Sequence, residues 1–529
     1  MPMKREQAFE AGPAAPAKLP EYPKPKDAAA TSGRSITWNG FWTVAMSSSG
    51  GLLAVVVPPF LARMLTHDEY GAWALALQVA SYVLVLGFGL QGAVGRFVAL
   101  AQGPGAIAER NGVLVAAFHM ACAAAVVGIV LIVGAAVALP HFLTAMPDGL
   151  VGDFRIALLL CGASAALALT GTPVTGAFLG EQRAHVPALI VLGGRATQCA
   201  LLVLAAVRFR TLEALAISYC AGQVLITVGQ LAAWGGNGAV RQLRRVASAV
   251  HYRELWKFCS PFVLWNSLAA LSFGSDLLIV SKLDFGETPY YAVSLTVATT
   301  FVGLLASAYN SLLPAAARHV GAGNRRALLG MLLRGGRLGV GLSTAVGLPL
   351  VFSAVVPLRL WVGASYAEAA APYLALLILA QIVRLSMSMY GSVTIAAGRH
   401  GAVVLAPVLD AAVGLAVAVS LGLYIGAAGV ALGMLAGAAV NFATWYWKDP
   451  LRDVFALPHV TRAFVAACAP PVLTAVAGSM LAAAVLLGFG ALADDRARLA
   501  AGIAVSIAVA AVALTKSAPS RGMHRAAAL

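Results

Sequence analysis

The sequence predicts an all-α protein that crosses a membrane about fourteen times, and three observations carry that prediction. Sixty per cent of the residues are apolar and only 11% are charged, against about 25% charged in a soluble domain. The charges fall in clusters separated by apolar runs of roughly 20 residues, the length a helix needs to cross a bilayer. The chain also repeats itself. The stretch Pro58 to Leu77, PPFLARMLTHDEYGAWALAL, returns 218 residues later as LLIVSKLDFGETPYYAVSL. Leu65 then falls on Leu283, Glu69 on Glu287, Trp73 on Tyr291 and Ala74 on Ala292. The expected architecture is two pseudo-symmetric six-helix bundles plus a C-terminal helix pair.

In chain order, residues 1–35 are rich in Pro, Ala, Lys and Glu without helical periodicity and read as a disordered cytoplasmic tail. No apolar core follows Lys4-Arg5, so no signal peptide is expected. Fourteen apolar spans then begin near Ile36, Ala72, Val113, Phe154, Val186, Leu212, Phe258, Pro289, Met331, Ala371, Ala402, Gly426, Thr461 and Leu499. They group into an N-terminal bundle over 36–233 and a C-terminal bundle over 258–447. A terminal helix pair over 448–516 and a short tail over 517–529 complete the chain. The longest loop, 234–257, carries Arg241, Arg244, Arg245, Arg253 and Lys257 and separates the bundles.

Charge sets the expected orientation. With the N-terminus inside, 26 of the 36 Lys and Arg lie on the cytoplasmic side and eight on the other. That bias places both termini in the cytoplasm of a cytoplasmic (inner) membrane. It also accounts for the net charge of +15 without nucleic acid as a partner.

Little in the sequence points to catalysis. The six cysteines lie in or at the edge of apolar spans without CxxC spacing, and the nine histidines are scattered. No metal, no cofactor and no enzymatic activity are expected. Most glycines fall inside spans, as in Gly335-Gly336-Arg337-Leu338-Gly339, where small residues let helices approach.

Polarity inside the membrane is the informative signal. Gln78, Ser81 and Tyr82 fall on Thr296, Thr299 and Thr300 in the repeat register. That is an i, i+3, i+4 set, one face of a helix. Asn266 belongs to a second polar set, in the seventh span, that answers Asn39 and Ser47 to Ser49 in the first. Single Ser and Thr in membrane helices bond to their own backbone. As a matched set in both halves they point to a hydrated central cavity. Trp38, Trp73 and Tyr291 sit close to span ends, where interfacial anchoring is their first explanation.

Four charges lie within spans: Arg195 in the fifth, Asp276 in the seventh, Arg384 in the tenth and Asp410 in the eleventh. An ionised side chain at the centre of a membrane helix costs about 2.5–3.5 kcal/mol on insertion scales, so each faces a partner, a cavity or a pathway. One reading is structural, with Asp276 or Asp410 neutralising Arg384. The other has the arginines attracting an anionic substrate group while Asp276 or Asp410 binds a proton or Na⁺.

These segments carry a family resemblance. A first helix ending in PxLARxL, a turn reading EYGAWALA and a second helix closing on GFGLQGAVGRF resemble the polysaccharide repeat-unit flippases. Those belong to the multidrug/oligosaccharidyl-lipid/polysaccharide exporter superfamily. In the second half, Asp276 followed by Leu277 to Val280 and then Tyr291-Ala292 is similar to that family's seventh-to-eighth helix motif. The glycine of that turn is displaced here to Gly286, with Pro289 in its place. The resemblance spans roughly 36–450. It implies alternating access to a central cavity, a polyprenyl-diphosphate-linked oligosaccharide as substrate and the surface-polysaccharide polymerase machinery as a partner beside membrane lipids. The family's cationic cavity is consistent with Arg195 and Arg384 as substrate contacts beside the matched polar faces, and Asp276, which falls in the family motif, or Asp410 is the candidate for ion coupling. Two alternatives stand beside it: a cation-coupled drug antiporter of the same superfamily, and a membrane-embedded glycan polymerase or ligase. The first expects acidic cavity helices. The second expects a long outer loop, whereas the longest here runs only from about Leu139 to Asp153.

Overall fold

The structure, a computed structural model, describes residues 33–87, 89–101, 106–235 and 249–488. Among them every regular element is helical. The first half runs α1 (Gly33–Met64), α2 (His67–Ser81), α3 (Leu90–Leu100), α4 (Ala106–Phe142), α5 (Val151–Gly180), α6 (His185–Arg208) and α7 (Leu212–Gly235). The second half opens with α8 (Ala249–Leu283), α9 (Thr288–Gly321), α10 (Arg325–Phe352) and α11 (Val355–Trp361). It continues through α12 (Ala364–Ser386), α13 (Ser388–Ala396), α14 (His400–Ile425), α15 (Ala427–Lys448), α16 (Arg452–Phe455) and α17 (Val460–Gly488).

Twelve segments among the described residues are long and apolar enough to cross a membrane. Helix α8 takes the place of the seventh expected span and, at 35 residues, runs about 50 Å at 1.5 Å per residue. The chain is a multi-pass membrane protein. The fourteenth expected span, near Leu499, lies outside the described residues, as do the expected tails through Ser32 and from Ser517.

Helix pairing repeats between the halves. In the first, α1 packs on α6, α4 on α5, α5 on α7 and α6 on α7; in the second, α8 packs on α14, α10 on α12, α12 on α15 and α14 on α15. The α1–α2 turn and its counterpart reach one end of the molecule by different local chemistry. Thr66 caps α2 through a reciprocal capping box: its hydroxyl accepts from Glu69 N at 3.3 Å, and Glu69 Oε2 accepts from Thr66 N at 2.8 Å. In the second half Asp284 takes the capping role, accepting from Gly286 N at 2.9 Å. Glu287 instead accepts from the Tyr373 hydroxyl at 2.9 Å.

Two expectations about helix continuity are corrected. The second span is not one helix: after Ser81 it tightens to a 3₁₀ segment, Tyr82–Gly87, and restarts at α3. Gly89 precedes that restart at φ 91°, a left-handed conformation that glycine adopts without steric cost. The helix of the ninth span begins earlier than its apolar run, at Arg325, and Arg337 within it is buried, 6% exposed.

Candidate functional site

A central cavity of about 380 Å³ lies between the halves. Helix α1 walls one side from Gly50 to Leu61, with Pro58 and Pro59 inside it. Helix α2 contributes Tyr70, Trp73, Gln78 and Ser81, and α9 contributes Leu295, Thr296 and Thr299. Arg195 and Leu202 of α6, Tyr219 of α7 and Leu277 of α8 complete the wall.

Arg195 is the one cationic side chain among the described lining residues, and no carboxylate lines the cavity with it. Its position is built from its own helix. Gln198 lies one turn on and accepts from Arg195 Nη1 through Oε1 at 2.7 Å. The same amide donates through Nε2 to the carbonyl of Tyr219 at 2.6 Å, so the guanidinium is braced against α7. The i, i+3 spacing of Arg195 and Gln198 is legible in the sequence; the bridge to α7 is not. Trp73 meets the Tyr219 ring edge-on, centroids 6.1 Å apart. Only 3% exposed, it is a cavity wall and not an interfacial anchor. Tyr291 is likewise buried.

The structure thus gathers Gln78, Ser81, Arg195, Thr296 and Thr299 around one space. Thr296, Thr299 and Thr300 also donate to carbonyls within their own helix, which leaves their oxygens as weak acceptors at the helix surface. Tyr82 turns away from the cavity and donates to Gly274 O of α8 at 2.5 Å, a link between the halves. Asn266 lies in α8, its side chain outside the described residues.

The remaining charges form a second centre in the C-terminal half. Arg384 grips Asp410 with two parallel bonds, Nε to Oδ2 at 2.9 Å and Nη2 to Oδ1 at 2.8 Å. Asn441 of α15 adds a donor to Asp410 Oδ2 at 3.1 Å, and Met434 O accepts from Arg384 Nη2 at 3.4 Å. The two side chains are 8% and 4% exposed, shielded from the central cavity. Of the two sequence readings of Arg384, ion pairing with Asp410 is the geometry found. Asn441 went unmarked in the sequence, although an amide within an apolar run is a visible signal.

Asp276 joins this centre from α8. Its Oδ2 accepts from the Tyr291 hydroxyl at 3.0 Å and its Oδ1 from Leu277 N at 3.0 Å. Asp276, Arg384 and Asp410 line a common void of about 10 Å³, room for about one water. Asp410 is thus paired with Arg384, and Asp276 borders the same small void. By formal charge, two carboxylates against one guanidinium leave one negative charge that a bound cation would balance.

No protein-family model matches the sequence, and no curated protein matches it either. Solved structures do. One is lipid II flippase MurJ in an inward closed conformation, at TM-score 0.67 and 13% identity over 91% of this chain and 98% of that one. An inward-facing multidrug resistance MATE family transporter of the MOP superfamily matches at TM-score 0.60 and 13% identity, over 78% of this chain and 95% of that one. A eukaryotic MATE transporter matches at TM-score 0.54 and 15% identity, over 83% and 98%. At these identities the likeness is one of fold: the chain has the fold of MOP-superfamily transporters.

Proposed function

We propose that the chain translocates a polyprenyl-diphosphate-linked oligosaccharide repeat unit across the cytoplasmic membrane for surface polysaccharide assembly. The observation that carries this reading is the charge of the central cavity: one braced arginine, neutral polar groups from both halves and no carboxylate among the described lining residues. Such a wall favours an anion and opposes a cationic drug, which weighs against the antiporter alternative. The likeness to a protein named as a lipid II flippase extends over more of the chain than the likeness to the MATE transporters, and supports the same choice.

In this mechanism Arg195 draws the diphosphate into the cavity while Gln78, Ser81, Thr296 and Thr299 meet the glycan and the prenyl chain stays in lipid. Rocking of one half against the other re-exposes the head on the far side. The Asp276–Arg384–Asp410 centre supplies the driving force by loading a proton or Na⁺. Both termini face the cytoplasm, and the product passes to polysaccharide polymerase machinery.

The test is flipping in proteoliposomes of a fluorescent polyprenyl-diphosphate glycan, read by its protection from an external quencher. Wild-type protein should accelerate protection. Arg195→Ala should weaken binding roughly 10- to 100-fold, the loss expected for a hydrogen bond to a charged group, and Arg195→Lys should recover part of it. Equal rates with and without protein, or an unchanged Arg195→Ala, would sink the proposal.

A further inference from the structure

The two halves meet at the end of the molecule that carries the α1–α2 turn, and their contact contains an unusual hydrogen bond. In an α-helix the carbonyl of residue 55 accepts from the amide of residue 59. Here residue 59 is proline, which has no N–H, so Val55 O loses its partner within α1. A carbonyl left unpaired at membrane depth is costly. The second half fills the gap: Trp361, the last residue of α11, donates its indole N–H to Val55 O at 2.8 Å.

The next residues of the same segment hold the other arm of the turn. Tyr366, in the first turn of α12, is fully buried. His67 of α2 stacks on it with centroids 4.8 Å apart, and Tyr70 meets it edge-on at 5.7 Å. Gly71 lets α2 come against the start of α9, where an added Cβ would stand 3.2 Å from Pro289 Cδ. Thus one short stretch, Trp361 to Tyr366, grips both α1 and α2. Val55 is not itself a lining residue: its helix turns Ala54, Val57 and Pro58 to the cavity and leaves Val55 half exposed beside them.

We propose that Trp361 is a clip that holds the turn end of the cavity shut, its indole N–H standing in for the amide that Pro59 removes. The proline makes α1 dependent on the other half for one backbone bond, so the bond exists only while the halves are closed together at this end. Separation of the halves breaks it without disturbing any helix-internal partner. Closure is then favoured by one directional hydrogen bond between the halves, on the helix that walls the cavity. The inference rests on the two-half alternating-access reading but not on what is carried.

The test reads access, not transport. A cysteine introduced as Thr296→Cys reports on the cavity, and its labelling by a membrane-impermeant maleimide is quantified at that site by peptide mass spectrometry. Right-side-out and inverted vesicles separate the two faces. Trp361→Phe keeps the ring and loses the donor, and should raise labelling from the turn side roughly 2- to 10-fold, the range for one hydrogen bond. Pro59→Ala returns the helix-internal amide, so in that background Trp361→Phe should change nothing. Unaltered labelling in Trp361→Phe overturns the proposal, as does an equal rise in both backgrounds. Failure of Trp361→Phe to accumulate in either background makes the indole a packing residue and also overturns it. Loss of flipping with this labelling pattern intact would count against the proposed substrate and leave the clip standing.

Discussion

Breaking the Arg384–Asp410 pair one side at a time should be far more damaging than removing it whole. The pair is buried, bidentate at 2.8 and 2.9 Å, and supported by Asn441 at 3.1 Å. Arg384→Ala leaves Asp410 as an uncompensated charge whose remaining donor is one neutral amide. Removing one partner of such a pair costs about 3–5 kcal/mol, whereas replacing both by apolar residues is often neutral or stabilising. Asp410→Ala should cost a similar amount, because Arg384 then faces Asp276 across the small void with its bidentate acceptor gone. The double variant Arg384→Met/Asp410→Leu should recover most of the loss. Thermal inactivation of detergent-solubilised protein, followed by fluorescence size-exclusion chromatography, measures all three. Comparable losses that simply add in the double variant would refute the reasoning, since additivity means the two side chains do not act as a pair. Wild-type stability in Arg384→Ala would refute it too.

Two further outcomes are expected. Asp276→Asn keeps one oxygen to accept from Leu277 N and turns its NH2 to the Tyr291 hydroxyl, which can accept, while removing the second carboxylate charge, so flipping in proteoliposomes should continue while losing its dependence on an imposed proton or sodium gradient; retained dependence places coupling elsewhere. Thr66→Ala removes the hydroxyl half of the α2 capping box and should destabilise by about 1 kcal/mol, seen as a modest fall in inactivation temperature, while an unchanged temperature would mean the turn is held by its packing against α9 alone.

Much of this protein is legible in its sequence. Apolar runs of bilayer length dictate membrane helices because a backbone in hydrocarbon must satisfy its own hydrogen bonds. The 218-residue repeat brings Gln78 and Ser81 into register with Thr296 and Thr299, and the four do surround one cavity. What periodicity does not carry is partnership between helices distant in sequence. Arg195 and Arg384 look alike along the chain, each a lone cation within an apolar span. Only packing separates them. Arg195 is braced by a residue one turn away and turned into open space. Arg384 is closed over by Asp410 from 26 residues further on and by the carbonyl of Met434. Trp73 has the sequence position of an interfacial anchor yet is buried, because it packs edge-on against Tyr219 of α7 in the cavity wall. The orphaned carbonyl at Val55 can be deduced from Pro59 alone, as a local consequence of a missing N–H. That its partner is Trp361, 306 residues away, is a matter of how two halves meet, and it follows from tertiary contact energies that no local pattern encodes.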